Sequence, residues 1–315
     1  MATNQQFVTL NNGNKIPAVG IIGTGTAWFK KQGQEEVISP ELIEQIKYAL
    51  SLPGVIHIDA AECYNTYVEV GKALEQSNRP RDQIFITDKF SPQANDGRTV
   101  SESFERGLAR MGVDYVDLYL IHCPFISRQG YSLEDAWSEL EALYESGKAK
   151  NIGVSNFRVS DLQRILKSGK VKPQVNQIEF HAFLQNQTPG IFQFCQQQQI
   201  QLEAYSPLAP LQRKSDELKT AAGAPFYHYL EQLASKYNKS EALILLRWVT
   251  KRHVIPVTTS SKPARVKDAQ ENLFTFDLTD QEVDQITSLG LLHKPLRLYW
   301  NEVYADYDSQ AQQPL

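Results

Sequence analysis

Cysteine is scarce. Three residues in 315, Cys63, Cys123 and Cys195, are too few and odd in number for a disulfide framework. A reducing, cytoplasmic setting is the expectation that follows. Excess positive charge is missing too: 32 Lys and Arg face 36 Asp and Glu, a net charge of −4, so no nucleic-acid groove is expected. No apolar run reaches bilayer-spanning length, and the longest, Ala242 to Val249, is broken by Arg247. MATNQQ has no charged start leading into an apolar stretch, so neither a secretory signal nor a membrane partner is expected. His57, His122, His181, His228, His253 and His293 show no metal-ligand spacing, and no metal is expected. Gly20, Gly23 and Gly25 stand in the wrong order for the glycine fingerprint of an open doubly wound sheet.

What is present is a repeat. Asn12-Gly13 between two short apolar runs predicts an N-terminal β-hairpin. Eight short, mostly apolar segments follow: Val19–Ile22, Val55–Asp59, Ile84–Thr87, Val116–Ile121, Asn151–Val154, Gln174–Ile178, Gln201–Tyr205 and Val254–Val257. Strands buried on both faces read this way. Helix signals alternate with them. Thr99 and Glu102 form a capping box before Phe104, Leu108 and Met111, with Gly112 as the stop. Ser132 to Gly147 repeats the plan, Thr188-Pro189 predicts another helix start, and Gln196–Gln199 reads as a solvated helix face. Thr279 to Gly290 is a capped helix beyond the eighth unit. An α/β fold is the reading: a closed (β/α)8 TIM barrel in one domain, 1–315, with an extra helix and a tail at the C-terminus.

The active face of such a barrel lies at the C-terminal ends of its strands. Four polar residues fall there: Asp59 ending the second strand, Tyr64 in the loop after it, Lys89 after the third, His122 at the end of the fourth. Singly, each has an ordinary explanation as a cap, a packed ring, a surface lysine or a satisfied buried histidine. Together they make a known kind of acid. An ammonium beside a phenol lowers its pKa, an aspartate holds the ammonium, and a histidine orients a substrate oxygen. Separately, TTSSKPAR after the eighth strand gathers hydroxyls and cations at a helix start, an anion site or simply a capped helix with solvated charges.

HIDAAECY, the lysine of TDKF, LIHCP, GVSNF, VNQIEF and AYSPL together resemble, in order and over nearly the whole chain, the aldo-keto reductase family. TTSSKP and LRLYWN resemble its yeast branch, which reduces α-keto amides and conjugated polyketones such as ketopantoyl lactone. The resemblance implies NADPH-dependent reduction of a small-molecule carbonyl, without a metal. It makes Tyr64 the proton donor, Lys89 and Asp59 its tuners, and His122 the residue that orients the substrate. It implies that Ser155, Asn156 and Gln177 hold the nicotinamide amide, that Tyr205 stacks under its ring, and that Ser206 and Leu208 line the pyrophosphate. Gly25 and Thr26 are placed with the cofactor on the same ground. Thr259, Ser260, Ser261, Lys262 and Arg265 would take the 2′-phosphate, and Asn272 the adenine.

The sequence also departs from the family pattern. Cys123 stands where many relatives carry tryptophan, and Thr66-Tyr67 where many carry Asn-Glu. These changes leave the acid intact and alter the pocket. Trp28, Phe90, Cys123, Phe125, Tyr299 and Trp300 are candidates for its walls, Trp300 above the others. Two other readings stand beside the reductase: a cofactor-holding binding module of the same fold, and a hydrolase built on Gly153-Val154-Ser155, whose nucleophile-elbow pattern Phe157 breaks. A monomer is expected, because no exposed apolar helix stands out.

Overall fold

The computed structural model describes residues 4–25, 36–93, 96–221 and 223–309. Strands β1 (Phe7–Thr9) and β2 (Lys15–Pro17) form the hairpin, with Val8 opposite Ile16. Eight parallel strands follow, each hydrogen-bonded to the next: β3 (Ile22–Gly23), β4 (Ile56–Asp59), β5 (Ile84–Phe90), β6 (Leu118–Ile121), β7 (Ile152–Ser155), β8 (Val175–Glu179), β9 (Gln201–Tyr205) and β10 (Val254–Pro256). A parallel bridge from Gly20 to Val257 joins the first to the last, with Gly20 N donating to Pro256 O at 2.9 Å. The ring is closed, as a (β/α)8 barrel requires.

Helices form where the caps predict. Thr99 Oγ1 accepts from Glu102 N while the Glu102 carboxylate accepts from Thr99 N, and the helix Val100–Met111 ends at Gly112 with φ +66°. Ser132 with Asp135 and Thr279 with Glu282 repeat the reciprocal cap on Leu133–Glu145 and Asp280–Leu291. The last of these lies outside the repeat and packs on the helix Gly223–Tyr237. Gly290 permits its approach, since a Cβ there would collide with the Ala182 carbonyl.

Some boundaries differ from the sequence reading. Strand β5 runs on through Lys89 and Phe90, so Lys89 lies within the strand, not after it. Thr188-Pro189 opens no helix; the next one is Ile191–Gln197, entered through Gly190 at φ +69°. It ends within the glutamine run, where Gln199 turns left-handed at φ +56°.

Alternation along each strand sends every second side chain into the barrel, where the inward ones stack in layers. Leu10 and Ile16 of the hairpin plug the N-terminal end against Phe85, Leu118, Leu120, Val175 and Ile255. Next comes His57, whose Nε2 lies 2.8 Å from Thr87 Oγ1. Asp59 and Lys89, two residues further along the same strands, reach the C-terminal mouth. Even-numbered neighbours such as Ile58, Ile84 and Ile86 join the larger core. Among the described residues no helix is long and apolar enough to cross a membrane.

Replacing Thr99 by Ala is expected to lower stability by about 1 kcal/mol, the usual worth of such a cap. Gly290→Ala is expected to cost more, about 2 kcal/mol or above, because backbone must shift. Urea midpoints of the two variants, at unchanged m-value, check the order.

Candidate active site

The four expected residues meet at the barrel mouth. Asp59 closes β4, and the chain then turns through a short 3-10 segment, Glu62–Tyr64, ended by Asn65 in the left-handed region. That turn folds the Tyr64 ring back over the barrel. Lys89 Nζ lies 5.0 Å from the ring centroid and donates to Asp59 Oδ1 at 2.6 Å and to Ala60 O at 2.9 Å. The lysine side chain is 0% and the aspartate side chain 5% exposed, so water screens this ion pair little. The His122 ring meets Tyr64 edge-on at 5.6 Å and 82°. Gly25 also lies against the phenol: a Cβ there would sit 3.2 Å from Tyr64 Cζ.

His122 Nδ1 lies 3.1 Å from Ser91 Oγ and 3.5 Å from Cys63 Sγ. Ser91 Oγ accepts from Cys63 N at 3.3 Å. Burial, followed by the charge of Lys89, pushes the His122 pKa down to about 3, so the imidazole is neutral at working pH. Tyr64 goes against the expectation. Its pKa is raised well above that of a free phenol, first by desolvation and then by the Asp59 carboxylate. The physical reason is that Lys89 is already neutralised by Asp59. What the phenol meets is a tight pair rather than a bare ammonium, and burial wins. The hydroxyl proton is therefore held firmly in place.

The expected nicotinamide residues converge at the same mouth. Ser155 Oγ donates to Gln177 O at 2.7 Å. Among the described residues no histidine hydrogen-bonds this hydroxyl, as the hydrolase reading would need. Asn156, left-handed at φ +59°, donates from Nδ2 to His122 O and accepts at Oδ1 from Tyr205 Oη, both at 2.9 Å. Gln177 Nε2 donates to Asp59 Oδ2 at 2.8 Å and to Glu203 Oε2 at 3.0 Å. Ser206 sits at φ +54° and hydrogen-bonds Tyr299, and Leu208 precedes the short helix Ala209–Gln212.

At the far end, Lys262 enters the helix Pro263–Asn272 with no side-chain cap, and Lys262 and Arg265 are exposed. Neither has an acidic ion-pair partner among the described residues. Gln45 Nε2 steadies the preceding loop through Thr259 Oγ1 at 2.9 Å and Ser260 O at 2.6 Å. Ser261 is exposed beside them. Exposed cations without an acidic partner at a helix start fit a phosphate. Asn272 is engaged locally, donating to Asp268 Oδ1 at 2.8 Å.

Of the expected pocket walls, Phe125 and Trp300 lie 5.9 Å apart, and Tyr304 joins them at 6.0 and 6.5 Å. Tyr299 stands edge-on to Tyr205 at 5.6 Å. Cys123 is buried, its thiol pushed up to about 12 by burial, so it contributes bulk and no reactivity. Phe90 belongs to the core rather than the wall. Thr26 and Trp28 lie outside the described residues.

Sequence reasoning missed Glu203, Ser91, Tyr304 and Glu179. Glu179 anchors the tail, accepting from Leu298 N at 2.8 Å and Tyr299 N at 3.2 Å. Tyr304 Oη donates to Asn156 O at 2.6 Å, tying the pocket wall to the expected cofactor residues. A carboxylate inside an otherwise apolar strand, as in IEF and LEAY, was the available signal.

A sequence model described as the Aldo/keto reductase family matches residues 21–290. The chain is 62% identical over 314 residues to an "NADPH-dependent alpha-keto amide reductase" of Saccharomyces cerevisiae, covering 99% of each chain. It is 38% identical to an "NAD/NADP-dependent indole-3-acetaldehyde reductase" of Schizosaccharomyces pombe, over 89% of this chain and 94% of the other. Among solved structures it resembles a Bombyx mori aldo-keto reductase in complex with NADP, with a TM-score of 0.78 and 28% identity, over 98% of this chain and 100% of that one. It also resembles an aldo/keto reductase from Brucella melitensis, with a TM-score of 0.74 and 35% identity, over 90% and 99%.

Burial pushes His57 down to about 4 as well as His122 to about 3. Both imidazoles are expected to stay neutral from pH 8 to pH 5. Side-chain ¹⁵N resonances recorded across that range check this; a shift to the imidazolium position near pH 6.5 contradicts it.

Proposed function

This chain belongs to the aldo/keto reductase family, and from that premise we propose which residues carry its reaction and on which carbonyls it acts. It is an oxidoreductase that reduces carbonyls to alcohols with NADPH. The single observation behind the assignment of roles is the buried Lys89–Asp59 pair under the Tyr64 ring, with neutral His122 beside it.

Bound NADPH supplies the hydride. Tyr64 supplies the proton to the carbonyl oxygen, and its raised pKa keeps that proton in place until the oxygen becomes basic. Lys89 lies against the ring as the phenolate forms and stabilises that charge, while Asp59 keeps the ammonium fixed. His122, neutral and occupied at Nδ1, turns Nε2 to the substrate oxygen and orients it.

Ser155, Asn156 and Gln177 would hold the carboxamide of the cofactor, Tyr205 would support its ring, and Ser206 and Leu208 would line the pyrophosphate. Lys262 and Arg265, unpaired at the uncapped helix start, would take the 2′-phosphate, with Thr259, Ser260 and Ser261 beside them. Gly25 fits this role through close approach: without a side chain its backbone can pack on the Tyr64 ring.

The substrates proposed are α-keto amides, ketopantoyl lactone-like diketones and keto esters. The α-keto amide reductase activity of the yeast relative and the aromatic wall of Phe125, Trp300 and Tyr304 support this class. A binding module without catalysis is disfavoured by the intact acid and its tuners. The proposal extends to one barrel domain, a monomer, and a cytoplasmic setting in which Cys63, Cys123 and Cys195 remain free thiols.

Tyr64→Phe is expected to lower kcat about 100-fold or more, the usual worth of a general acid, with NADPH affinity nearly unchanged. Loss of NADPH absorbance on a panel of α-keto amides and diketones, with cofactor titration by fluorescence, reads both. Full activity in the variant removes Tyr64 from the role. Lys262→Ala with Arg265→Ala is expected to weaken NADPH binding about 10-fold or more and leave NADH binding nearly unaltered. Equal losses for both cofactors would place the 2′-phosphate elsewhere.

A further inference from the structure

Glu203, at the centre of β9, is fully buried. Its Oε2 accepts from Gln177 Nε2 at 3.0 Å, and the same nitrogen donates to Asp59 Oδ2 at 2.8 Å. Two carboxyl groups thus share one amide NH2. Glu203 Oε1 has no hydrogen-bond partner among the described residues.

Among the described residues, one cation faces this pair. Lys89 Nζ is bonded to Asp59 Oδ1 and Ala60 O. Asp59 reaches Glu203 from β4 and Lys89 from β5, β8 presents Gln177, and β10 presents Ile255 opposite in register. His57 on β4 is neutral by burial and brings no compensating charge. Two ionised carboxylates against one ammonium would leave a buried, unbalanced charge, which proteins avoid by holding a proton. Asp59 has the lysine at 2.6 Å, so the proton falls to Glu203, on the oxygen without a partner.

We propose that Glu203 is a positioning residue for the Asp59–Lys89–Tyr64 set: it holds a proton at neutral pH, which leaves Lys89 facing a single carboxylate, and its ionisation slows proton delivery by Tyr64. The inference rests on Tyr64 being the acid of this reductase. The physical course is simple. Loss of the Glu203 proton adds a negative charge behind Asp59. The phenolate that forms at Tyr64 then gains less from Lys89, because the ammonium is shared between two carboxylates. Burial, with the Asp59 charge next, raises the Glu203 pKa to about 8, so the change falls just above neutrality.

Infrared difference spectra against Glu203→Gln, an isostere of the protonated acid, read the proton directly. A carboxylic C=O band present at pH 6.5 in the wild type, absent in Glu203→Gln and lost around pH 8, is expected. Single-turnover NADPH oxidation with an α-keto amide reads the consequence. From pH 7 to pH 9 the wild-type rate is expected to fall about tenfold, as a group titrating near 8 dictates, and that of Glu203→Gln less than about twofold. Glu203→Asp, which restores a titrating carboxyl, is expected to restore the alkaline loss; this also serves if Glu203→Gln does not fold. No band at pH 6.5 overturns the protonation and leaves the reductase reading intact. Equal pH slopes in wild type and Glu203→Gln overturn the positioning role. A wild type that shows the band but no turnover on any carbonyl sinks the reductase reading, and the positioning role with it, while the protonation stands.

Discussion

A lysine and an aspartate out of reach of water hold this site together. Removing either partner of such a pair leaves a stranded charge, at a cost of about 3–5 kcal/mol. Lys89 and Asp59 tolerate burial because every polar atom involved has somewhere to go. Nζ bonds Oδ1 and the Ala60 carbonyl, and Oδ2 accepts from Gln177. The pair needs adjacent parallel strands in fixed register, since Asp59 stands opposite Thr87 and Lys89 is two residues further along. The barrel supplies that register, and the hairpin plug with the apolar layer above it keeps water from entering from below.

The electrostatics of the mouth follow from the same burial. His122 is kept neutral and Tyr64 protonated by one cause, the low polarity of the surroundings, acting on groups of opposite sign. Ser91 Oγ and Cys63 Sγ both stand within hydrogen-bonding reach of Nδ1 of the neutral His122 ring. The proposed site therefore offers two neutral groups, Tyr64 and His122, backed by the Lys89–Asp59 charge pair.

The tail is part of this arrangement. Glu179, at the end of β8, fixes the backbone of Leu298 and Tyr299, and Tyr304 reaches the carbonyl of Asn156. Asn156 in turn holds His122 O and Tyr205 Oη. The aromatic wall beyond the repeat is thus connected by hydrogen bonds to the residues proposed to meet the nicotinamide. The proposed substrate wall and the proposed cofactor residues share one framework.

The sequence by itself determined the repeat, the caps and the four residues at the strand ends. Burial of both strand faces, capping boxes at Thr99, Ser132 and Thr279, and the stop at Gly112 are local properties, written within a few residues of one another. It also marked Lys262 and Arg265, because a helix start with cations is a local pattern. Only the tertiary structure decided what these groups meet. Gln177 reaches Asp59 across 118 residues, and Tyr304 reaches Asn156 across 148. No periodicity encodes such a partner. The direction of the Tyr64 pKa was decided in the same way. The sequence pairs the lysine with an aspartate but does not give the depth of burial; in the fold desolvation outweighs the lysine's charge. Composition fixes which charges a chain carries, and packing fixes which of them remain uncompensated.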